Sequence, residues 1–261
     1  MAAGPTLYHV PRTISSPIYQ TLLHLNLSQT IQVETLTFAD LKTHAHLTRN
    51  PMGTSPAFTD EHEGIAIWES GAVLSYILQV YDTTYELHPN PQSCSKMELA
   101  KFLHLQQFII TTVYPFVASL YIHTLKPVEE QDEKYIQAAK EKFITLLAPT
   151  LMTFLHSEQD DGPFFFSKIS AIDYLVAKPL NNAKDLGLLD SFPELRNLLD
   201  RIQSLPSFAV AYKIQNDDHA KAISVGSSVE NNKTVEKKKD DSTPDSPTRS
   251  FILVPETDSF D

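Results

Sequence analysis

Residues Asn50-Pro51-Met52-Gly53-Thr54-Ser55-Pro56, followed after a short hairpin by Glu69-Ser70-Gly71-Ala72, constrain this chain more than any other stretch. The first segment sets a proline at the start of the apolar strand Pro56-Ala57-Phe58. The second sets a carboxylate and a hydroxyl where the strand Ile65-Ala66-Ile67-Trp68 turns into a helix. The bond before Pro56 is a cis candidate, because X-Pro bonds lose most of the trans preference. A kink there leaves the backbone N–H and C=O of Ser55 outward and unpaired, able to bind an extended peptide. Ser70 opens a helix whose first N–H groups favour a carboxylate, and Glu69 beside it suits an ammonium. Together these groups fit a small zwitterionic peptide.

The flanking pattern predicts a strand at 6–10 and a helix from Pro17 to Leu27, with Pro17 in the first helical position, where its missing N–H costs nothing. Ile18, Leu22 and Leu25 then share one face. A strand follows at 31–36, a short irregular helix within 38–48, the hairpin, and a helix from Ser70 with Val73, Tyr76, Ile77 and Val80 on one side. Tyr85–Ser95, with Pro89 and Pro91, reads as a linker. Beyond it the chain is helical: a long helix from Lys96 to Leu125 kinked at Pro115, another from Glu129 to His156 bent at Pro149, and shorter ones near 171–185, 192–204 and 206–214. Ser170 and Asp173 have capping-box spacing.

The net charge of −11 argues against a nucleic-acid surface, which needs basic patches. No secretory signal is evident at the N-terminus, and no apolar run suggests a membrane span, so a cytoplasmic protein is expected. The single cysteine, Cys94, excludes an intrachain disulfide or a Cys-x-x-Cys pair. His44-x-His46 is too sparse for a metal site. The helical pattern fails beyond about Asn216, residues 225–261 are rich in Ser, Lys, Asp, Thr and Pro, and 216–261 are expected to form a disordered tail. That tail carries possible phosphorylation sites at Thr243-Pro244 and Ser246-Pro247, an apolar docking candidate at Phe251–Val254, and a solvated charge run from Lys237 to Asp241.

The cradle resembles the glutathione-binding half of the cytosolic glutathione S-transferase family. Leu7-Tyr8-His9-Val10-Pro11-Arg12-Thr13-Ile14-Ser15-Ser16-Pro17 is similar to the first strand and loop of serine-type members. Phe164-Phe165-Phe166-Ser167-Lys168-Ile169-Ser170-Ala171-Ile172-Asp173 is similar to the capped-helix motif of the family's second domain. The resemblance runs from about residue 6 to residue 213. It implies an α/β thioredoxin-like N-terminal domain (5–83), a linker (84–95), an all-α helical-bundle domain (96–215) and the tail.

The implied activity is a detoxification-type conjugation of the glutathione thiolate to an apolar electrophile, in a homodimer, with glutathione as co-substrate and no metal, nucleic acid or membrane. A free thiol has a pKa near 8.5, and lowering it by about 2 units takes about 2.7 kcal/mol. A hydroxyl donor and a helix terminus supply energies of that order. Ser15 is the expected catalytic hydroxyl. Ser16, adjoining Pro17, is placed to cap the helix and is the alternate; both serines acting only as caps is the third possibility. Tyr8 lies too early in the strand.

By the same resemblance Ser55 and Pro56 pair with the cysteinyl backbone, and Glu69 and Ser70 hold the γ-glutamyl end. Thr54 stands where relatives often carry a basic residue for the glycyl carboxylate, so Lys42, His44 or Arg49 would substitute. Tyr114 and Phe116 are the expected electrophile-pocket residues. The rival function is a non-catalytic binding or interaction module on the same fold. Isomerisation, dehalogenation or peroxide reduction with the same thiolate is a further option.

Overall fold

The computed structural model describes residues 4–156 and 162–213. The expected tail, with its phosphorylation, docking and charge-run candidates, lies outside the described residues. A four-stranded sheet comes first, built from β1 (Thr6–His9), β2 (Gln32–Thr35), β3 (Ala57–Asp60) and β4 (Ile65–Trp68) in the order β2-β1-β3-β4. β1 runs parallel to β2, and β3 is antiparallel to both β1 and β4. Helices α1 (Ser15–His24), α2 (His44–Arg49) and α3 (Ser70–Tyr81) complete a thioredoxin-like domain.

Alternation along β1 sorts its side chains between two cores. Leu7 joins Ile18, Leu22, Phe58, Val73 and Ile77. Tyr8 and Val10 pack instead with Leu36, Leu41 and Ala57. Helix α1 starts two residues before the expected Pro17. The missing N–H still falls in the first turn, where no intrahelical acceptor exists. On α3 the buried face is Val73, Leu74, Ile77 and Leu78. Val80, expected on that face, is exposed.

The second domain is helical: α4 (Lys96–Phe108), α5 (Tyr114–Thr124), α6 (Glu133–Lys142), α7 (Ala148–Leu155), α8 (Ala171–Asp185), α9 (Pro193–Gln203) and α10 (Pro206–Ala211). Both expected long-helix prolines lie just past a π-helical segment, Pro115 after Ile109–Val113 and Pro149 after Phe143–Leu147. A wider turn absorbs the i−4 hydrogen bond that proline cannot make. The second long helix begins later than expected, since Val128–Glu130 forms a separate 3-10 turn.

The continuous helical stretch Lys96–Thr124 is long and apolar enough to cross a membrane by length and composition, which the sequence reading had not found. Phe102, Leu105, Ile109, Val113, Val117 and Leu120 recur along it at three- and four-residue spacing and form one buried face, while 33% of its apolar window is buried in all.

Helix α8 is the centre of this domain, packing on α1, α5 and α9 and burying most of its surface. Its start is the expected capping box: Asp173 accepts from the N–H and the hydroxyl of Ser170, each at 2.8 Å, and from the N–H of Phe165 at 3.1 Å. Burial pushes the Asp173 carboxyl up to about 6 even against these donors.

Candidate functional site

The strand register gathers the cradle at one end of the sheet. Tyr8 and Trp68 both lie opposite Ala57, so the end of β1, the loop before β3 and the start of α3 emerge together. The Val10 N–H donates to Ser55 Oγ at 3.2 Å, stitching the first two. The Ser55–Pro56 peptide is cis, as expected. Among the described residues the backbone N–H and C=O of Ser55 have no hydrogen-bond partner.

The preceding residue is fixed from behind. The Thr54 carbonyl accepts from His46 Nε2 and Asn50 Nδ2, both at 2.9 Å, and Asn50 also donates to Thr54 Oγ1 at 3.1 Å. His46 is buried while His44 is exposed, so the two histidines do not form a ligand pair. Gly53 has φ +60°, and a Cβ there would meet the Leu41 carbonyl oxygen at 3.0 Å, so the turn before Thr54 requires glycine.

Glu69 also has a left-handed φ of 73°, unusual for a residue with a Cβ. Its exposed carboxylate has no ion-pair partner among the described residues. Ser70 is 8% exposed, at the first turn of the twelve-residue α3. Of the three expected basic substitutes, Lys42 reaches this loop, donating from Nζ to the Gly53 carbonyl at 3.1 Å. Arg49 instead lies over the Tyr8 ring at 4.3 Å, and His44 stands exposed on α2.

The loop after β1 differs from expectation. Ile14, not Ser16, occupies the N-cap position of α1, and no side chain caps it. Ser15 and Ser16 are both fully buried. Ser15 Oγ lies 2.8 Å from His9 Nδ1 and 2.8 Å from Thr13 Oγ1, accepts from the Val10 N–H at 3.1 Å, and approaches the Val10 carbonyl at 2.9 Å. Ser16 Oγ accepts from the Arg12 N–H at 2.9 Å. The loop folds back on both hydroxyls. Thr13, half-exposed, donates to the Val10 carbonyl at 2.8 Å.

His9 is 1% exposed, and burial lowers its pKa to about 4 against the opposing carbonyl of Ala211, so it is neutral near pH 7.

The two expected pocket aromatics part company. Tyr114 turns toward the loop, where its hydroxyl faces the Ile14 N–H. Phe116 packs under Lys142 of α6, with Nζ 5.2 Å from its ring centre. Two residues along an α-helix turn through about 200°, so both side chains cannot face one cleft. Tyr212, just past α10, was not anticipated: its hydroxyl is buried, electrostatically close to Tyr114, and without a hydrogen-bond partner among the described residues. Neither period nor motif marks such a residue in sequence.

Lys178 on α8 is buried, and burial lowers its pKa to about 8, opposed by Asp185 and reinforced by Arg12. Cys94 is half-buried and lines a separate recess of about 320 Å³ with Tyr85, His88 and Lys168.

Residues 5–79 match the family model "Glutathione S-transferase, N-terminal domain", and residues 112–212 match "Glutathione S-transferase, C-terminal domain". The chain belongs to the glutathione S-transferase family. Glutathione S-transferase-like protein gedE of Aspergillus terreus is 23% identical over 175 residues, 63% of this chain and 75% of that protein. The similarly described OpS6 of Beauveria bassiana is 30% identical over 142 residues, 53% of this chain and 61% of that protein.

Among solved structures, the glutathione transferase URE2P8 of Phanerochaete chrysosporium, determined with oxidized glutathione, superposes with a TM-score of 0.65 at 18% identity. That match covers 87% of this chain and 98% of the other. A glutathione transferase from Pseudomonas putida, with one glutathione disulfide per subunit, gives 0.68 at 16% identity, covering 82% and 92%. At these identities the structures establish the transferase fold.

Proposed function

We propose that this protein binds glutathione in its thioredoxin-like domain and transfers the thiolate to an apolar electrophile held against the helical domain. The unpaired backbone N–H and C=O of Ser55, at the sheet end shared with Glu69 and Ser70, carry this reading. An extended cysteinyl unit pairs with Ser55 in the manner of an added strand. The γ-glutamyl carboxylate meets the first N–H groups of α3, and its ammonium meets Glu69. Lys42 neutralises the glycyl carboxylate beyond Thr54. This division assigns residues 5–83 to the tripeptide and 96–215 to the electrophile. A two-fold homodimer in the cytoplasm, serving detoxification, completes the proposal.

Glutathione affinity measured by calorimetry, then turnover with a dinitro-aryl halide, tests it. Binding abolished by Glu69→Gln with Ser70→Ala, together with turnover in the wild type, is the expected result. No binding by the wild type rejects it.

The enclosed hydroxyls of Ser15 and Ser16 favour a second reading, a glutathione-binding module without transferase activity. Tight binding with no conjugation across several electrophiles selects that reading.

A further inference from the structure

We propose that His46 and Asn50 are positioning residues, which hold the Thr54–Ser55 peptide plane in the orientation that pairs with the cysteinyl backbone of glutathione. The proposal deepens the glutathione reading above, on which it rests, by naming what aims the pairing edge.

The Thr54 carbonyl and the Ser55 N–H belong to one trans peptide unit, which is planar and points the two groups in opposite directions. His46 Nε2 and Asn50 Nδ2 each lie 2.9 Å from the Thr54 oxygen, so both of its lone pairs are taken. Drawing that oxygen inward turns the Ser55 N–H outward, where it has no partner among the described residues. The Ser55 side chain is tied to β1. Its Oγ accepts from the Val10 N–H at 3.2 Å and donates to the Tyr8 carbonyl at 3.3 Å. The plane cannot turn over without breaking the His46 and Asn50 bonds.

His46 is destabilising in one respect. A carbonyl oxygen only accepts, so the ring proton sits on Nε2 and Nδ1 is left as a bare acceptor. The residue is 1% exposed, and Nδ1 has no partner among the described residues. Burying an unpartnered polar atom costs stability. An apolar ring at 46 would avoid that cost, because Asn50 alone still satisfies the Thr54 oxygen. It would also keep the edge-on contact with Tyr8, whose ring centre lies 6.4 Å away. What it would lose is the second grip on the peptide plane.

Asn50 is fully buried and has further duties. Its oxygen accepts from the Met52 N–H at 3.0 Å, and its amide nitrogen also reaches Thr54 Oγ1 at 3.1 Å. It builds the turn as well as aiming the carbonyl, so His46 is the residue that isolates the effect.

The test compares wild type, His46→Phe and His46→Gln by glutathione calorimetry, chemical denaturation and amide hydrogen exchange at Ser55. Phenylalanine keeps the ring and drops the donor, whereas glutamine keeps a nitrogen that can donate to the same carbonyl. His46→Phe should bind glutathione about tenfold more weakly, the scale of one hydrogen bond. Its denaturation midpoint should equal or exceed that of the wild type, because the unpartnered nitrogen is gone. His46→Gln should bind within about twofold of wild type. Saturating glutathione should protect the Ser55 N–H from exchange in the wild type, and less so in His46→Phe. Wild-type affinity in His46→Phe overturns this proposal and leaves the glutathione reading standing. Equal weakening in both variants does the same, and so does a fall in the His46→Phe midpoint alongside its lost affinity, since the histidine would then serve the fold alone. Failure of the wild type to bind glutathione overturns both.

Discussion

His9 Nδ1 and Ser15 Oγ lie 2.8 Å apart inside the protein, on the closed side of the loop that follows the first strand. Their contact organises that loop. Ser15→Ala therefore removes the partner of the buried imidazole and one of the two acceptors of the Val10 N–H, which keeps Ser55 Oγ. Each buried polar group left unpaired costs about 1–3 kcal/mol. Ser15→Ala should lower the melting temperature by several degrees, while the ultraviolet titration of the bound glutathione thiol keeps its wild-type midpoint. A variant of unchanged stability with a shifted thiol would return the catalytic role to Ser15.

His9 also gives stability a pH dependence. Its folded pKa of about 4 lies below the ordinary 6.5, so its contribution is complete above pH 6.5 and lost as pH falls toward 4. The full span amounts to about 3 kcal/mol. Asp173 works in the opposite sense. Its folded pKa of about 6 exceeds the ordinary 3.8, so its contribution is present below 3.8 and lost as pH rises through 6. The two slopes oppose one another between pH 4 and 6. Denaturant unfolding of wild type and His9→Gln across pH 4–7 should show the wild-type advantage growing with pH. A constant difference between them would contradict a neutral, buried His9.

Asp173→Ala orphans the Phe165 N–H together with the N–H and hydroxyl of Ser170. Loss of a cap costs about 1 kcal/mol, and the buried donors add to it. A destabilisation of at least about 3 kcal/mol is expected by chemical denaturation. A change under about 1 kcal/mol would mean that α8 does not need its capping box.

Lys42→Met tests the glycyl end of the cradle. Among the described residues its exposed ammonium is tethered to the Gly53 carbonyl. Calorimetry should show glutathione binding weakened about tenfold, a difference of about 1.4 kcal/mol. The des-glycyl dipeptide should bind wild type and variant equally. Equal loss for both peptides would point to a distorted loop instead of a missing charge.

Much of the architecture was readable in the chain because its signals are local. Pro56 after Gly53-Thr54-Ser55, the Ile65–Trp68 strand ending at Glu69-Ser70, and Ser170 three residues before Asp173 each state their geometry within a few positions. The loop after β1 was not readable in this way. Whether Ser15 faces a ligand or the interior depends on His9 beneath it and on the distant Ala211 carbonyl that faces the same ring, and no spacing rule connects them. Tyr114 was singled out because it sits on an aromatic helix. Phe116 was drawn in by the same reasoning, although helical rotation turns it to α6. Tyr212 has nothing in its neighbourhood to mark it; only the fold brings it over α1.

The meeting of His9 with the Ala211 carbonyl also has a consequence for how the protein folds. The strand that carries the imidazole and the carbonyl that covers it lie some two hundred positions apart in sequence. Until α10 docks, the ring lies open to water and takes up a proton more readily. The closed loop after β1 is thus completed only when α10 settles against α1, so the order of that docking step decides when the imidazole becomes neutral.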